Sequence, residues 1–169
     1  MLAESLLEKL GNDYEEIKIY QSDLKPLDND SLEYRTAKIN ENDYSDPIFD
    51  LAKQFANAET VVIGAPFWDL SFPSVLKVYF ENIMISGLTF TYKNGRPEGL
   101  CKTKKLYYVT TSGGYIFSDF GFSYVKSLAE NFFGIPEIKC FDAQGLDIVG
   151  NVGEQIIKNA IEKINCEIK

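Results

Sequence analysis

Two apolar runs constrain this chain more than any other feature: "ETVVIGAP" (Glu59–Pro66) and "KKLYYVTTSGG", which runs into a Ser-Gly-Gly loop. Both are rich in Val, Ile and Tyr and lack the polar alternation of a half-exposed strand. That is the pattern of a strand buried on both faces, the situation in a parallel sheet covered by helices on either side. Parallel neighbours need long crossovers, normally helical.

Helical patterns do separate the strand patterns. "DPIFDLAKQFANA" offers Asp46 as N-cap, Pro47 at the first position and apolar residues at Ile48, Leu51 and Phe55. "FPSVLKVYFENIMISG" has Pro73 near its start, an apolar face of Val75, Leu76, Tyr79, Phe80 and Ile83, and Gly87 to close it. "SDFGFSYVKSLAENFFG" reads as a helix, "EIKCFDAQGL" as a strand and Val152–Ile164 as a last amphipathic helix.

The chain opens inside such a pattern. In "MLAESLLEKL", Leu2, Leu6, Leu7 and Leu10 form one apolar stripe, with Gly11 and Asn12 to stop the helix. "EEIKIY" (Glu15–Tyr20) alternates and predicts a short strand, and the polar stretch Gln21–Ser45 predicts a long irregular connection. Leu88, Phe90 and Tyr92 alternate ahead of Asn94-Gly95, a type I′ hairpin signal. Setting that hairpin aside, the order is α-β-α-β-α-β-α-β-α. The expectation is one α/β domain over residues 1–169, an open sheet with right-handed crossovers.

Composition narrows the chemistry. The chain has no histidine, which removes Ser-His-Asp and Cys-His nucleophile systems and His-ligated metals. Chemistry carried by a cofactor, needing few protein acids, becomes the better fit. A net charge of −8 argues against nucleic acid or an anionic membrane as partner. Cys101, Cys140 and Cys166 are odd in number and widely spaced, which suits a reducing cytoplasm rather than a disulfide framework or a metal site. No apolar run approaches the roughly 20 residues of a membrane span, and no signal peptide is recognised ahead of the first helix. The locally basic residues Lys93, Arg96, Lys102, Lys104 and Lys105 read either as a solvated loop or as an attractor for an anionic substrate such as a nicotinamide dinucleotide.

Ligands of open α/β sheets bind beyond the carboxyl ends of the strands. Two loops leave such ends with unusual content. "APFWDLSFP" (Ala65–Pro73) sets two aromatics and an Asp between a strand and a helix, where a planar ring could lie on Phe67 and Trp68; capping of the sheet is the competing reading. "TTSGGYIF" (Thr110–Phe117) has paired glycines that allow close approach to free backbone amides, though Ser-Gly-Gly alone is a weak signal.

On these residues the chain resembles a known family. "APFWDLSFPSVLKVYFENIMISGLTFTY", "PEGLCKTKKLYYVTTSGG" and "FFGIPEI" resemble, in order and spacing, the flavodoxin-like NAD(P)H:quinone oxidoreductases of the FMN-dependent NADH-azoreductase type. The resemblance covers about Glu59 to Leu146. It implies a three-layer α/β/α fold with a twisted parallel sheet of order 2-1-3-4-5, bound FMN, and homodimers with the active site near the subunit interface. By the same resemblance Pro66, Phe67, Trp68, Asp69 and Leu70 match the family's loop along the flavin ring, and Thr111, Ser112, Gly113 and Gly114 match its second flavin loop. Phe90 and Tyr115 are weaker candidates for the nicotinamide or quinone pocket, with core packing the alternative.

The implied reaction is ping-pong. NADH or NADPH passes hydride to flavin N5, and a quinone, azo or nitro compound then takes the electrons in the same slot. No catalytic side chain and no metal is expected. Two departures stand out. Asp69 occupies a position where the family often has Asn, so either its carboxylate opposes an anionic reduced flavin or only its backbone amide is used. Family members also begin with a strand and a Ser-rich turn that holds the FMN phosphate. Here Met1 is expected already within the following helix, so the first strand and that turn are expected to be missing. A cofactor-less flavodoxin-like protein acting by association with itself or a partner is therefore the alternative reading, followed by an electron-transfer flavodoxin.

Overall fold

A computed structural model describes residues 2–11 and 13–168. The buried apolar runs do form the sheet. β1 (Thr60–Pro66), β4 (Lys105–Thr111) and β5 (Glu137–Ala143) are parallel, in the order β1-β4-β5. The register is continuous, Val61 opposite Leu106 and Leu106 opposite Ile138. β4 is central and almost wholly buried, which is why its sequence carries no polar alternation.

Helices cover both faces. On one side α3 (Asp50–Asn57), α4 (Ser74–Ile83) and α5 (Phe122–Leu128) bury Phe55, Phe80, Ile83 and Val125 against Ile63, Leu106 and Tyr108. On the other, α1 (Leu2–Leu10) and α6 (Gly153–Glu167) bury Leu2, Leu6, Ala160 and Ile164 against Tyr107, Val109 and Phe141. Alternation along β4 sends Tyr107 and Tyr108 to opposite cores, so one strand serves both layers. The three-layer α/β/α arrangement expected from the resemblance is present.

Local signals were obeyed where they were chemical. Asp46 caps through its carboxylate, which accepts from Ile48 N at 3.0 Å, although the first turn after Pro47 is a 3₁₀ turn. The β2 (Phe90–Lys93) and β3 (Arg96–Gly99) hairpin closes on Asn94 (φ 52°) and Gly95 (φ 74°), both left-handed, as type I′ requires. Gly11 ends α1 at φ 109°, its amide donating to Leu7 O. Asn12, expected to share that role, and Met1, expected within the helix, lie outside the described residues.

Two expectations are corrected. Glu15–Tyr20 is not a strand. Ile17 and Ile19 do bury partly against the α4-side core, so the apolar face was read correctly. A strand also needs a neighbouring row of amides and carbonyls, and no backbone hydrogen bond joins this segment to β1; Gln21 N donates to Lys18 O and closes a turn instead. The connection Gln21–Ser45 is not irregular throughout, because it contains α2 (Asn29–Asn40). That helix buries no residue, so it left no apolar stripe to detect. It is started by a capping box in which Asp28 Oδ1 accepts from Ser31 N and Ser31 Oγ accepts from Asp28 N, each at 2.9 Å.

Candidate functional site

Each sheet strand ends in a loop at the same edge of the molecule, and hydrogen bonds join these loops into one surface. The loop after β1 is anchored by Phe67 N donating to Thr111 O at 2.9 Å. It then folds into a two-residue turn, with Trp68 N to Ser71 O and Ser71 N to Trp68 O both at 2.8 Å. The turn residues are Asp69 (φ 49°) and Leu70 (φ 67°). Both are left-handed, a conformation that glycine or asparagine adopts readily and leucine adopts at a cost of about 1–2 kcal/mol. Strain of this kind concentrates at functional sites. Its structural effect is to hold Trp68 and Leu70 out into solvent, at 57% and 50% exposure.

The loop after β4 is built differently. Ser112 N donates to Ala143 O at 3.0 Å, and Ser112 Oγ donates to Gly114 O at 2.7 Å, curling the chain over itself. The loop after β5 holds it from the side: Gly145 N donates to Gly114 O, Leu146 N to Ser112 O and Asp147 N to Gly113 O, at 2.9–3.1 Å. Gln144 Oε1 accepts from Ile116 N at 2.9 Å. A side chain on Gly113 would meet the exposed Asp147 carboxylate, which would have to swing aside to admit it. The first two loops are tied by Phe120 N donating to Leu70 O at 2.9 Å and Ser71 Oγ to Phe120 O at 3.2 Å.

Among the described residues the amides of Asp69, Leu70, Gly113, Gly114 and Tyr115 find no protein acceptor. Unpaired amides beside an exposed indole form a surface suited to the heteroatom edge and face of a planar ring. Asp69 itself is exposed, and its amide has no protein acceptor. Of the residues singled out from sequence, Pro66 and Thr111 end β1 and β4 opposite each other, Phe67, Trp68, Asp69, Leu70, Ser112, Gly113 and Gly114 lie on the two adjoining loops that follow, and exposed Tyr115 continues the second. Phe90 is elsewhere. It is 7% exposed and packed between Tyr92 and Phe132, with ring centroids 5.5 and 5.3 Å away, so core packing accounts for it.

The basic segment does not join the site. Lys105 begins β4, Lys102 Nζ donates to Asn57 Oδ1 at 2.8 Å, and Lys93 pairs with Glu98 at 3.5 Å, all away from the carboxyl-end loops. Sequence reasoning missed the β5 loop, in which Gln144 and Asp147 support the glycine loop. Its only local signal was the Gln144-Gly145 pair. Among the described residues no cluster of His, Cys, Asp and Glu is arranged to hold a metal ion. Among the same residues no helix is long and apolar enough to cross a membrane.

Comparison with known proteins decides the family. A family model for the flavodoxin-like fold matches residues 2–167. An FMN-dependent NADH:quinone oxidoreductase of Clostridium perfringens is 35% identical over 150 residues, spanning 87% of this chain and 75% of that protein. The chain belongs to this flavodoxin-like oxidoreductase family. A second relative of the same description, from Lachnoclostridium phytofermentans, is 34% identical over 157 residues, or 90% of this chain and 78% of the relative. Among solved structures, an FMN-dependent NADH-azoreductase of Bacillus anthracis in complex with FMN superposes with a TM-score of 0.78 at 26% identity, covering 96% of this chain and 84% of that one. An azoreductase from the same organism gives 0.79 at 25% identity.

Proposed function

We propose that the chain is an FMN-dependent NADH:quinone oxidoreductase whose flavin ring lies across Trp68–Leu70 and Gly113–Tyr115. The unpaired amides on two hydrogen-bonded loops, beside an indole held in solvent by a left-handed turn, carry this reading. It is supported by the activity for which the Clostridium relative is named and by the FMN in complex with the Bacillus azoreductase.

The residues present fit the ring of such a cofactor. The Gly113, Gly114 and Tyr115 amides are free to donate to its polar edge, and Gly113 permits close backbone approach. The Asp69 and Leu70 amides are likewise without protein acceptors on the adjoining loop, while Trp68 and Leu70 supply apolar surface that excludes water from one side. Bound FMN supplies the two-electron chemistry. The protein's part is orientation, and no side-chain nucleophile or histidine is called on.

Alternating entry of NADH and acceptor into one slot, and acceptance of azo and nitro compounds beside quinones, belong to the same proposal. So does self-association: Trp68, Leu70, Tyr115, Phe117 and Phe120 form an exposed apolar rim on the two loops, with Phe117 90% exposed. A homodimer that covers this rim would also wall the slot.

The test uses Trp68, the chain's one tryptophan. Titrating FMN into the protein should quench its fluorescence saturably, and the loaded protein should be yellow and oxidise NADH only when a quinone is supplied. A protein that shows neither quenching nor retained flavin refutes the reading and leaves the cofactor-less alternative.

A further inference from the structure

The three loops beyond the strand ends carry charge of one sign. Residues 64–76, 110–125 and 140–157 include Asp69, Asp119, Asp142, Asp147 and Glu154 and no lysine or arginine. The first cations on the helices that follow β1 and β4, Lys77 and Lys126, pair at i,i+4 with Glu81 and Glu130. Lys158, the first on α6, stands four residues after Glu154. Lys18, which lines the cleft beside Pro66, pairs with Glu16 at 3.6 Å.

Two of these carboxylates differ from the rest. Asp119 Oδ1 accepts from Gly121 N and Phe122 N, both at 2.8 Å, and Asp142 Oδ2 accepts from Gln144 Nε2 at 2.6 Å, so part of their charge is offset. The Asp69 and Asp147 carboxylates meet no donor and no cation among the described residues, and both residues are exposed. Asp69 sits on the left-handed turn between Trp68 and Leu70, and the Asp147 carboxylate lies against Gly113. One uncompensated negative charge thus stands on the first ring loop and another against the second.

Given the flavin site proposed above, on which this rests, we infer that Asp69 and Asp147 set the acceptor class. Ring acceptors that are cationic or neutral are taken, and those bearing a sulfonate or carboxylate on the ring are turned away. NADH escapes this exclusion because its charge lies on the pyrophosphate, away from the nicotinamide that reacts. A small sulfonated quinone carries its charge on the reacting ring system itself. A unit charge about 7 Å away in water changes an equilibrium about threefold. Two carboxylates acting on acceptors of opposite sign therefore separate them about tenfold or more at about 10 mM salt, where the screening length is about 30 Å.

Trp68, next to Asp69, reports the local potential whether or not flavin is bound. Iodide should quench it about twofold less than caesium does, each relative to N-acetyltryptophanamide and with neutral acrylamide as the measure of access. Asp69→Asn/Asp147→Asn should bring the two ions together. Glu59→Gln should not, because Glu59 precedes the seven residues of β1 and stands about 23 Å from the loops. In the loaded enzyme at saturating NADH, a naphthoquinone bearing a trimethylammonium group is compared with one bearing a sulfonate. Each is reduced to its hydroquinone by the hydride of one NADH and one proton from solvent. Between about 10 mM and about 0.5 M salt, kcat/KM should fall for the cationic quinone and rise for the anionic one. The double variant should flatten both responses, whose signs do not depend on the quinones' own reduction potentials. Equal quenching by iodide and caesium, or salt responses that the double variant leaves unchanged, overturns the assignment and leaves the flavin reading standing. A protein that shows the ion asymmetry but retains no flavin overturns that reading, and the acceptor preference with it.

Discussion

The Asp147 carboxylate occupies the space a side chain at position 113 would need, while the Asp147 amide donates to the Gly113 carbonyl at 2.9 Å. The β5 loop therefore shapes the β4 loop by both contact and hydrogen bond. The exposed carboxylate can swing aside, so Gly113→Ala should cost about 1 kcal/mol or less. It should also weaken flavin retention by narrowing the approach to the loop's amides. Removing the obstructing carboxylate in Gly113→Ala/Asp147→Gly should recover much of the stability. Thermal unfolding of the two single variants and the double variant gives the coupling. Additive losses would mean that the two residues do not share this space.

The Asp69–Leu70 turn makes a prediction of opposite sign for stability and binding. Leu70 holds φ 67° without the freedom of glycine. Leu70→Gly should raise the unfolding free energy by about 1 kcal/mol by relieving left-handed strain, less the entropy that glycine gains when unfolded. The same change removes apolar surface from the proposed ring site, so FMN should bind more weakly. Denaturant midpoints and fluorescence titrations of the same preparation check both signs.

What was legible in the sequence follows from which interactions are local. β1, β4 and β5 announced themselves because burial on both faces forces unbroken apolar runs, and the 94–95 turn because type I′ geometry selects Asn-Gly. The two ring loops were found because aromatics and paired glycines are conspicuous after a buried strand. Glu15–Tyr20 failed because strand formation depends on a neighbour that no local pattern specifies, even though Ile17 and Ile19 bury as their alternation required. α2 failed for the reverse reason: its support is polar, from Asp28, Ser31 and the Lys38–Asp43 pair, so it carries no stripe. The supporting role of Asp147 rests on an approach between loops of different strands, and residue spacing does not encode it.

Acid should loosen the α2 region before the core. Asp43 accepts from Ser45 and Lys38, which hold its carboxyl down at about 2; Asp46 is lowered by Tyr34 and the Ile48 amide, and Asp28 by Ser31. A carboxyl depressed in the folded state adds stability that is complete above its unfolded value and is lost as pH falls through the folded one. The window is therefore from about pH 4 down to about pH 2. Amide exchange in residues 29–46 should accelerate across it. Asp43→Asn should make that region less protected at neutral pH and flatten its response to acid. An unchanged acid profile in that variant would assign the transition to other carboxylates.

The three thiols should separate sharply in reactivity. Burial pushes Cys101 and Cys140 up to about 12, and each is only partly accessible, whereas Cys166 is exposed near the end of α6. Thiolate is the reacting form, so at pH 8 the two raised thiols hold only on the order of one part in ten thousand as thiolate. An aromatic disulfide reagent should consume one equivalent quickly in the native protein, with Cys166→Ser abolishing that phase. The remaining two equivalents should appear only in denaturant, where burial no longer opposes ionisation. Fast labelling of Cys101 in the native state would mean that the packing between α4, the β2–β3 hairpin and Tyr79 opens on the timescale of the reaction.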